Sequence, residues 1–280
     1  MRILLTNDDG VYAPGLAAME RVLRQLGEVY VVAPLREQSG VAHSITFLTP
    51  LQAGKVYVND KHWAWAVDGT PADCVKLAIS TILPDPPDLV VSGMNGGLNS
   101  GLNVLYSGTV AAAVEGALYG ITSIAVSLQS TKNAPFQQAA DLALGIIEKI
   151  WKQNTAPGRL YSINIPIEAL KQDMPEVKVV PVNATECWET YERRMDTVGR
   201  PYYWLAGSSN PRQATGTPSD VLTDSAAILQ GYITVTPLSY DLTDEQRLRE
   251  MSDWQLSPQS GVVDNDVEHT GPRLRVCWRS

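Results

Sequence analysis

Apolar residues in the first half of the chain form short continuous runs that alternate with longer segments of helical spacing. The runs lie at 3–5, 29–32, 88–91 and 124–126, and the helical segments at about 16–26, 71–83, 109–119 and 137–152. A continuous apolar run is typical of a strand that is covered on both faces, as in a parallel sheet. The alternation therefore predicts an α/β fold with a doubly wound, mostly parallel, Rossmann-like sheet.

Two stretches interrupt this alternation. Residues 44–67 alternate apolar and polar positions over short distances, which predicts a small antiparallel insertion. From about Tyr161 onward helical spacing becomes rare, and short strands are expected at 177–182 and 231–237. Residues 183–219 are polar and interrupted by Gly and Pro, so we expect a long loop or extension there.

The chain is expected to form one α/β domain over 1–251, which includes both stretches, followed by a tail at 252–280. A short helix is expected from Leu242 to Arg249, with Thr243 as its N-cap. The tail has apolar residues without a core-forming period, and its burial alone would not offset the entropy of ordering it. We therefore favour an extended C-terminal arm exchanged with a neighbouring subunit, while packing on its own subunit or disorder stays open.

Composition narrows the class of protein. The chain has 22 Lys plus Arg against 30 Asp plus Glu, and this net charge of -8 argues against a nucleic-acid polymer as partner. Its three cysteines are far apart, form no CxxC pair and indicate a reducing compartment. No apolar stretch is long enough for a membrane span, and the opening MRILLTNDDG is too short for a signal-peptide core. We expect a cytoplasmic protein.

The first candidate site is the sequence Thr6-Asn7-Asp8-Asp9-Gly10, directly after the first predicted strand. In this fold class the carboxyl ends of the strands form the ligand crevice. Adjacent carboxylates repel each other unless a cation joins them, and a hard divalent ion takes oxygen ligands. Asp8 and Asp9 are therefore candidate metal ligands, although Asp-Asp-Gly is also ordinary turn chemistry.

The loop after the second strand carries a Ser-Gly pair and a histidine. The hydroxyl of Ser39 can reach a metal or a phosphate, and Gly40 permits close backbone approach. Such pairs often only turn the chain. His43 is a candidate acid or base, with a structural role as the alternative.

The most specific signal is a Gly- and Asn-rich loop after the strand at 88–91. It runs from Ser92 to Gly101 and is followed by Tyr106-Ser107-Gly108-Thr109, which opens an Ala-rich helix. A helix start capped by Ser107 and Thr109 offers free N–H groups and the positive end of the dipole to an anion. The alternative is a long capped loop, but ordering one is costly without a function. The residues we assign to phosphate binding are Asn95, Gly96, Ser107, Gly108 and Thr109.

Several familiar motifs are absent from the sequence. There is no GxxxxGK[ST] of a P-loop, no GxGxxG of a dinucleotide site and no GxSxG of a serine hydrolase. An aspartyl phosphatase with a DxDG turn would need Asp at position 7, which is Asn7.

Taken together, these loops resemble the SurE family, the survival-protein-E nucleotidases. The matching stretches lie at 3–16, 31–46, 67–78, 87–127 and 231–238. The resemblance implies a metal-dependent phosphohydrolase that acts on nucleoside 5′-monophosphates, and also on 3′-monophosphates and short polyphosphate in some members. It implies one divalent ion per subunit held by Asp8, Asp9, Ser39 and Asn95. It also implies a homodimer or homotetramer with exchanged C-terminal elements.

Two features depart from the family pattern. Met94 stands where the family usually has Ile, and the stretch 183–226 matches only weakly.

Our hypothesis is a 5′-nucleotidase that uses Mg²⁺ or Mn²⁺ as a Lewis acid, with Asp8 and Ser107 as catalytic residues. The attacking group is either a water or Asp8 as a covalent nucleophile. A non-catalytic nucleotide or phosphate sensor on the same fold is the alternative function.

Overall fold

A computed structural model of the protein describes residues 1–153, 156–184, 190–206, 221–254 and 256. Its strands are β1 Arg2–Thr6, β2 Glu28–Pro34, β3 Ala53–Val58, β4 Lys61–Val67, β5 Leu89–Asn95, β6 Thr122–Leu128, β7 Leu160–Ile165, β8 Val177–Val179, β9 Thr190–Met195, β10 Pro201–Ala206 and β11 Ile233–Leu238. Its α-helices are α1 Pro14–Leu23, α2 Pro71–Leu77, α3 Gly108–Leu118, α4 Phe136–Gln153, α5 Asp224–Leu229 and α6 Glu245–Met251.

The described strands form one large sheet and one hairpin. The large sheet has the order β3-β4-β2-β1-β5-β6-β7-β11-β8, and β9 pairs with β10. From β4 to β7 all neighbours are parallel. The chain moves outward from β1 through β2 to β4, then returns to the other side of β1 at β5 and continues to β7. The strand order therefore reverses between β1 and β5, and ligands bind at such a switch point in this class.

Helices cover both faces of the sheet, as the continuous apolar runs predict. Leu5 of β1 and Val91 of β5 belong to the apolar cluster that includes α1 and α4. Their neighbours Leu4 and Val90 belong to the cluster that includes Val75 of α2. Successive residues of a strand point to opposite faces, so the fold is doubly wound as predicted.

The predicted antiparallel insertion is partly confirmed. Strands β3 and β4 form an antiparallel hairpin, but no strand is present in 44–52. The hairpin also extends the main sheet, because β4 pairs with β2 in parallel register from Val31↔Ala64 to Pro34↔Val67. It is therefore an edge of the main sheet, and β4 takes the third strand position of the Rossmann-like order.

Other boundaries differ from the sequence-based expectations. The predicted helix at 71–83 is α-helical only to Leu77, and a five-residue π-helical turn, Ala78–Ile82, completes it. The predicted extension at 183–219 contains the antiparallel hairpin of β9 and β10. The N-cap of α6 is Asp244, whose side chain accepts from the N–H of Arg247 at 2.9 Å; the prediction of Thr243 as cap was wrong.

The described residues divide into two compact units. One contains 1–184 and 221–240, and the other contains 190–206 and 241–256, apart from the gaps given above. The predicted tail at 252–280 lies almost wholly outside the described residues, so the domain boundary stays a prediction. None of the described helices combines the length and the apolar character that crossing a membrane requires.

Candidate active site

The end of β1 lies directly against the beginning of α3. Asp8 follows β1 and is only 4% exposed. The hydroxyl of Thr109, in the first turn of α3, donates to Asp8 Oδ1 at 2.5 Å. A Cβ on Gly108 would lie 2.9 Å from the Cβ of Asp8, so only glycine allows this approach. An acid from the strand end is thereby held at the N-terminal end of a helix.

The two adjacent acids both have raised pKa values. Burial raises the pKa of Asp8 to about 6, the charge of Asp9 adds to this, and the hydrogen bonds from Thr109 only partly oppose it. Burial also raises the pKa of Asp9, with a contribution from the charge of Glu37, against a lowering by the N–H of Gly96. The hydrogen bonds from Thr109 and Gly96 thus only partly offset the burial and mutual repulsion of these two carboxylates. A bound divalent cation would stabilise the ionised pair, so the residues present fit a metal ion.

The loop after β5 meets the loop after β1 through Asp9. The backbone N–H of Gly96 donates to Asp9 Oδ2 at 3.0 Å. Beside it, Nδ2 of Asn95 donates to the carbonyl of Gly97 at 2.7 Å, which leaves the amide Oδ1 as the acceptor atom for a cation. The two predicted clusters are therefore brought together at the switch point of the sheet.

The loop after β2 reaches the same place through its backbone. The N–H of Gln38 donates to the carbonyl of Asp8 at 2.7 Å, which anchors this loop beside the acids. The neighbouring hydroxyl of Ser39 donates to Glu37 Oε1 at 2.7 Å. A hydroxyl that donates its hydrogen keeps lone pairs for a cation, so this contact is compatible with Ser39 as a ligand.

The two predicted capping residues, Ser107 and Thr109, have different roles at the start of α3. Ser107 is the N-cap, and its Oγ accepts from the N–H of Val110 at 3.1 Å, as predicted. Its hydroxyl hydrogen is available for a phosphoryl oxygen. Thr109 is fully buried and lies inside the helix, and its hydroxyl is engaged by Asp8. We therefore assign Thr109 to positioning Asp8, whose pKa both the hydroxyl and the backbone N–H of Thr109 act to lower.

In the part of the chain that the structure describes, no three or more His, Cys, Asp or Glu side chains converge as a metal cluster. A cation here would have the carboxylates of Asp8 and Asp9 together with the neutral oxygens of Ser39 and Asn95. Oxygen-only donors of this kind suit hard ions such as Mg²⁺ and Mn²⁺.

His43 has a partner that the sequence analysis missed. Its Nε2 lies 2.8 Å from Oε2 of Glu115, and Nζ of Lys76 lies 3.0 Å from Oε1 of the same carboxylate. Burial acts to raise the pKa of Glu115, but the bonds from His43 and Lys76 outweigh it and lower the pKa overall. His43 thus fixes its loop to α3. An acid within the Ala-rich helix was the available signal, but its partners are distant in sequence.

Asp73 is a second buried acid that the sequence analysis missed. It forms a capping box with Thr70 at the start of α2. Its carboxylate also accepts from the backbone N–H of Thr46 at 2.9 Å and from the Thr46 hydroxyl at 2.6 Å. The spacing Thr70-x-x-Asp73 could have identified the cap. Glu115 and Asp73 together hold the segment that follows Ser39, through His43 and Thr46.

The fold and the site define a Rossmann-like α/β protein with an acidic crevice next to a helix start. The model of the survival protein SurE family matches residues 3–193, and the chain belongs to this family.

Individual relatives agree with this assignment. The 5′-nucleotidase SurE of Rhodopirellula baltica is 50% identical over 259 residues, which cover 92% of this chain and 100% of that protein. The 5′-nucleotidase SurE of Heliobacterium modesticaldum is 40% identical over 273 residues, 96% of this chain and 98% of that protein. A crystal structure of the SurE protein from Aquifex aeolicus matches with a TM-score of 0.74 and 37% identity, covering 90% of this chain and 98% of that one. The resemblance and the fold class predicted from the sequence are confirmed.

Proposed function

We propose that this chain is a metal-dependent 5′-nucleotidase, a phosphoric monoester hydrolase that acts on nucleoside 5′-monophosphates. The observation that carries the proposal is the contact between Asp8 and the start of α3. A cation would stabilise the ionised form of these buried adjacent acids, and the adjacent helix start favours an anion. A divalent ion bound to the acids, with a phosphate bound between that ion and the helix start, fits both features. The names of the relatives from Rhodopirellula baltica and Heliobacterium modesticaldum support the same activity.

The proposed metal ligands are Asp8, Asp9, Ser39 and Asn95, with one Mg²⁺ or Mn²⁺ per subunit. When bound, the ion supplies Lewis-acid polarisation of a phosphoryl oxygen. The hydrogen bond from Gly96 holds Asp9 in place, and the Gln38 backbone holds the loop of Ser39 against Asp8. Thr109 fixes the orientation of the Asp8 carboxylate.

The remaining phosphoryl oxygens are proposed to bind at the start of α3 and at the loop after β5. Ser107 donates its hydroxyl, Gly108 and Thr109 offer backbone N–H groups, and Asn95 and Gly96 border the phosphate. Donors held in place before the reaction stabilise the charge that develops on the phosphoryl group. The proposed attacking group is a water, with Asp8 as a covalent nucleophile as the rival. Rapid-quench trapping of a phosphoenzyme distinguishes the two.

The activity is tested by phosphate release from all 5′- and 3′-mononucleotides and short polyphosphate, with Mg²⁺ and with Mn²⁺. We expect ion-dependent release from the 5′-monophosphates. The full panel also measures whether the 3′-monophosphates and polyphosphate are substrates. Release from no compound with either ion would contradict the proposal and favour a nucleotide or phosphate sensor on this fold.

We further propose that the protein acts in the cytoplasm as a homodimer or homotetramer. The cysteine usage supports a reducing compartment, and Cys74 is a buried free thiol. The apolar residues of the tail at 252–280 support assembly through an exchanged arm.

A further inference from the structure

A cavity of about 330 Å³ opens beside Gly96, at the edge of the proposed phosphate site. Its wall includes Pro14, Ser130, Thr131, Asn133 and the ring of Phe136. The cavity lies within the larger compact unit and is formed by the loop after β6, the first residue of α4 and the start of α1. Apart from Gly96, none of its lining residues belongs to the proposed metal or phosphate site.

Gly96 joins the cavity to the acidic pair. Its N–H donates to Asp9 Oδ2 at 3.0 Å. A Cβ on Gly96 would lie 3.8 Å from that oxygen and 3.6 Å from Cζ of Phe136. The carboxylate and the aromatic ring therefore border the same small space, which the absence of a side chain at Gly96 leaves open. The cavity is therefore adjacent to the carboxylate of Asp9, with Gly96 between them.

The lining indicates what kind of group the cavity accepts. All of its described lining residues are uncharged, so a second phosphate has no cation to meet there. The lining combines the aromatic residue Phe136 with the polar residues Ser130, Thr131 and Asn133. Ligand pockets of roughly 300–1,000 Å³ commonly pair apolar surface with a few polar groups. A flat heteroaromatic base attached to a sugar has the complementary chemistry.

The cavity wall is held in place by packing and turn geometry. Phe136 is partly buried and packs against the main apolar cluster, and its Cε1 would lie 3.1 Å from a Cβ on Gly15. Asn133 adopts a positive φ of 65°, a conformation that asparagine tolerates better than most residues. Packing against the core thus holds the Phe136 ring in its position at the cavity wall.

We propose that this cavity binds the nucleoside part of the substrate, with the base against Phe136 and the polar edge of the base near Ser130, Thr131 and Asn133. This inference rests on the proposed function, because the phosphate of the same molecule lies at Asp8 and Asp9. Every nucleobase has a π-face, so stacking on Phe136 tolerates different bases. The cavity then distinguishes nucleotides from phosphate esters without a base.

The experiment compares kcat/KM for 5′-AMP and for ribose 5-phosphate, which carry the same ester with and without a base. Three variants change the cavity in different ways. Phe136→Leu removes the aromatic face and keeps apolar packing, Asn133→Gly removes the amide and keeps the positive φ, and Ser130→Trp fills the space. Lys132→Trp is the control, since it puts the same bulk in the same loop on an exposed residue that does not line the cavity.

We expect wild type to prefer 5′-AMP, and Phe136→Leu and Ser130→Trp to lower that preference by roughly tenfold, the scale of losing one base–aromatic stack. Asn133→Gly should lower it less, and Lys132→Trp should leave it unchanged. Turnover of ribose 5-phosphate should change little in any variant. No preference in wild type, or a preference that all three cavity variants retain, would overturn the inference.

A failure of the proposed function gives a different result, namely no phosphate release from either ester. In that case the cavity is tested by calorimetric titration with adenosine, which has no phosphate. Binding to wild type that Ser130→Trp and Phe136→Leu weaken would still support a nucleoside cavity. Absence of adenosine binding, or equal binding to all variants, would overturn it.

Discussion

The hydroxyl of Thr109 donates a hydrogen bond to Oδ1 of Asp8 and joins the start of α3 to the end of β1. The two residues are 101 positions apart in the sequence. The bond fixes one carboxylate oxygen, and the close approach of Gly108 places the helix start beside the other. The geometry of this site therefore depends on how closely α3 packs against Asp8.

Replacing Gly108 by Ala tests this packing directly. The new Cβ would meet Asp8 Cβ at 2.9 Å and Asp8 Oδ2 at 3.2 Å, so the carboxylate must move. Because small displacements of reacting groups are costly, we expect kcat/KM for 5′-AMP to fall by roughly 10²-fold. The matched control is Gly145→Ala on α4, where a Cβ meets nothing within 4 Å. It should keep full activity and gain up to about 1 kcal/mol of stability. Equal activities of the two variants would contradict the assignment.

Ser107→Ala should separate phosphate binding from metal binding. If the hydroxyl contacts the phosphoryl group in the transition state, its loss should lower kcat by roughly 10²-fold. The same change removes the cap that accepts from Val110, so about 1 kcal/mol of stability is also expected to be lost. Ser107→Thr keeps the hydroxyl and should retain most of the activity. A tenfold weaker metal affinity in Ser107→Ala, measured by calorimetry, would instead make Ser107 a metal ligand.

The pKa of Asp8 predicts how the metal-free protein responds to pH. Burial raises this pKa from an ordinary value of 3.8 to about 6, so the folded chain retains a proton that the unfolded chain has lost. In the metal-free protein the contribution of Asp8 to stability should therefore fall as pH rises from about 4 to about 6, and stay lower above that.

Asp8→Asn removes this charge and keeps an oxygen that can accept from Thr109. In chelator at pH 7.5 its free energy of unfolding should exceed that of wild type by up to about 3 kcal/mol, the equivalent of about two pKa units. The difference should vanish near pH 4. Thermal denaturation across this pH range measures it, and a difference independent of pH would show that burial does not penalise the Asp8 charge.

The C-terminal tail is predicted to carry the assembly. Truncation before Ser252 keeps α6, which ends at Met251, and removes the residues expected to be exchanged. We expect light scattering to give the mass of fewer subunits per particle than for the full chain. An unchanged number of subunits would exclude the tail as the assembly element.

The sequence predicts the central part of this fold well, because its signals are local. Continuous apolar runs identify β1, β2, β5 and β6, and Ser107 before an Ala-rich segment identifies the start of α3. The clusters around Asp8 and Asn95 follow β1 and end β5, whose adjacency is a property of the fold class.

What the sequence could not supply depends on pairing between distant residues. The edge position of β4 results from its register with β2, which no periodicity encodes. His43 is a candidate acid or base in sequence, and only its contact with Glu115, 72 positions away, shows a structural role. The sequence predicts Thr243 as the N-cap of the short helix α6, whereas the geometry makes Asp244 the cap.

The most direct test of the account is the metal dependence of phosphate release from 5′-AMP, measured on chelator-treated wild type and Asp8→Asn during titration with Mn²⁺. We expect no release from wild type without the ion and full recovery on titration. We expect Asp8→Asn to need orders of magnitude more Mn²⁺ for whatever activity it recovers, because one of the two charges that attract the ion is gone. Release that persists in chelator, or near-normal turnover by Asp8→Asn at low Mn²⁺, would contradict the account.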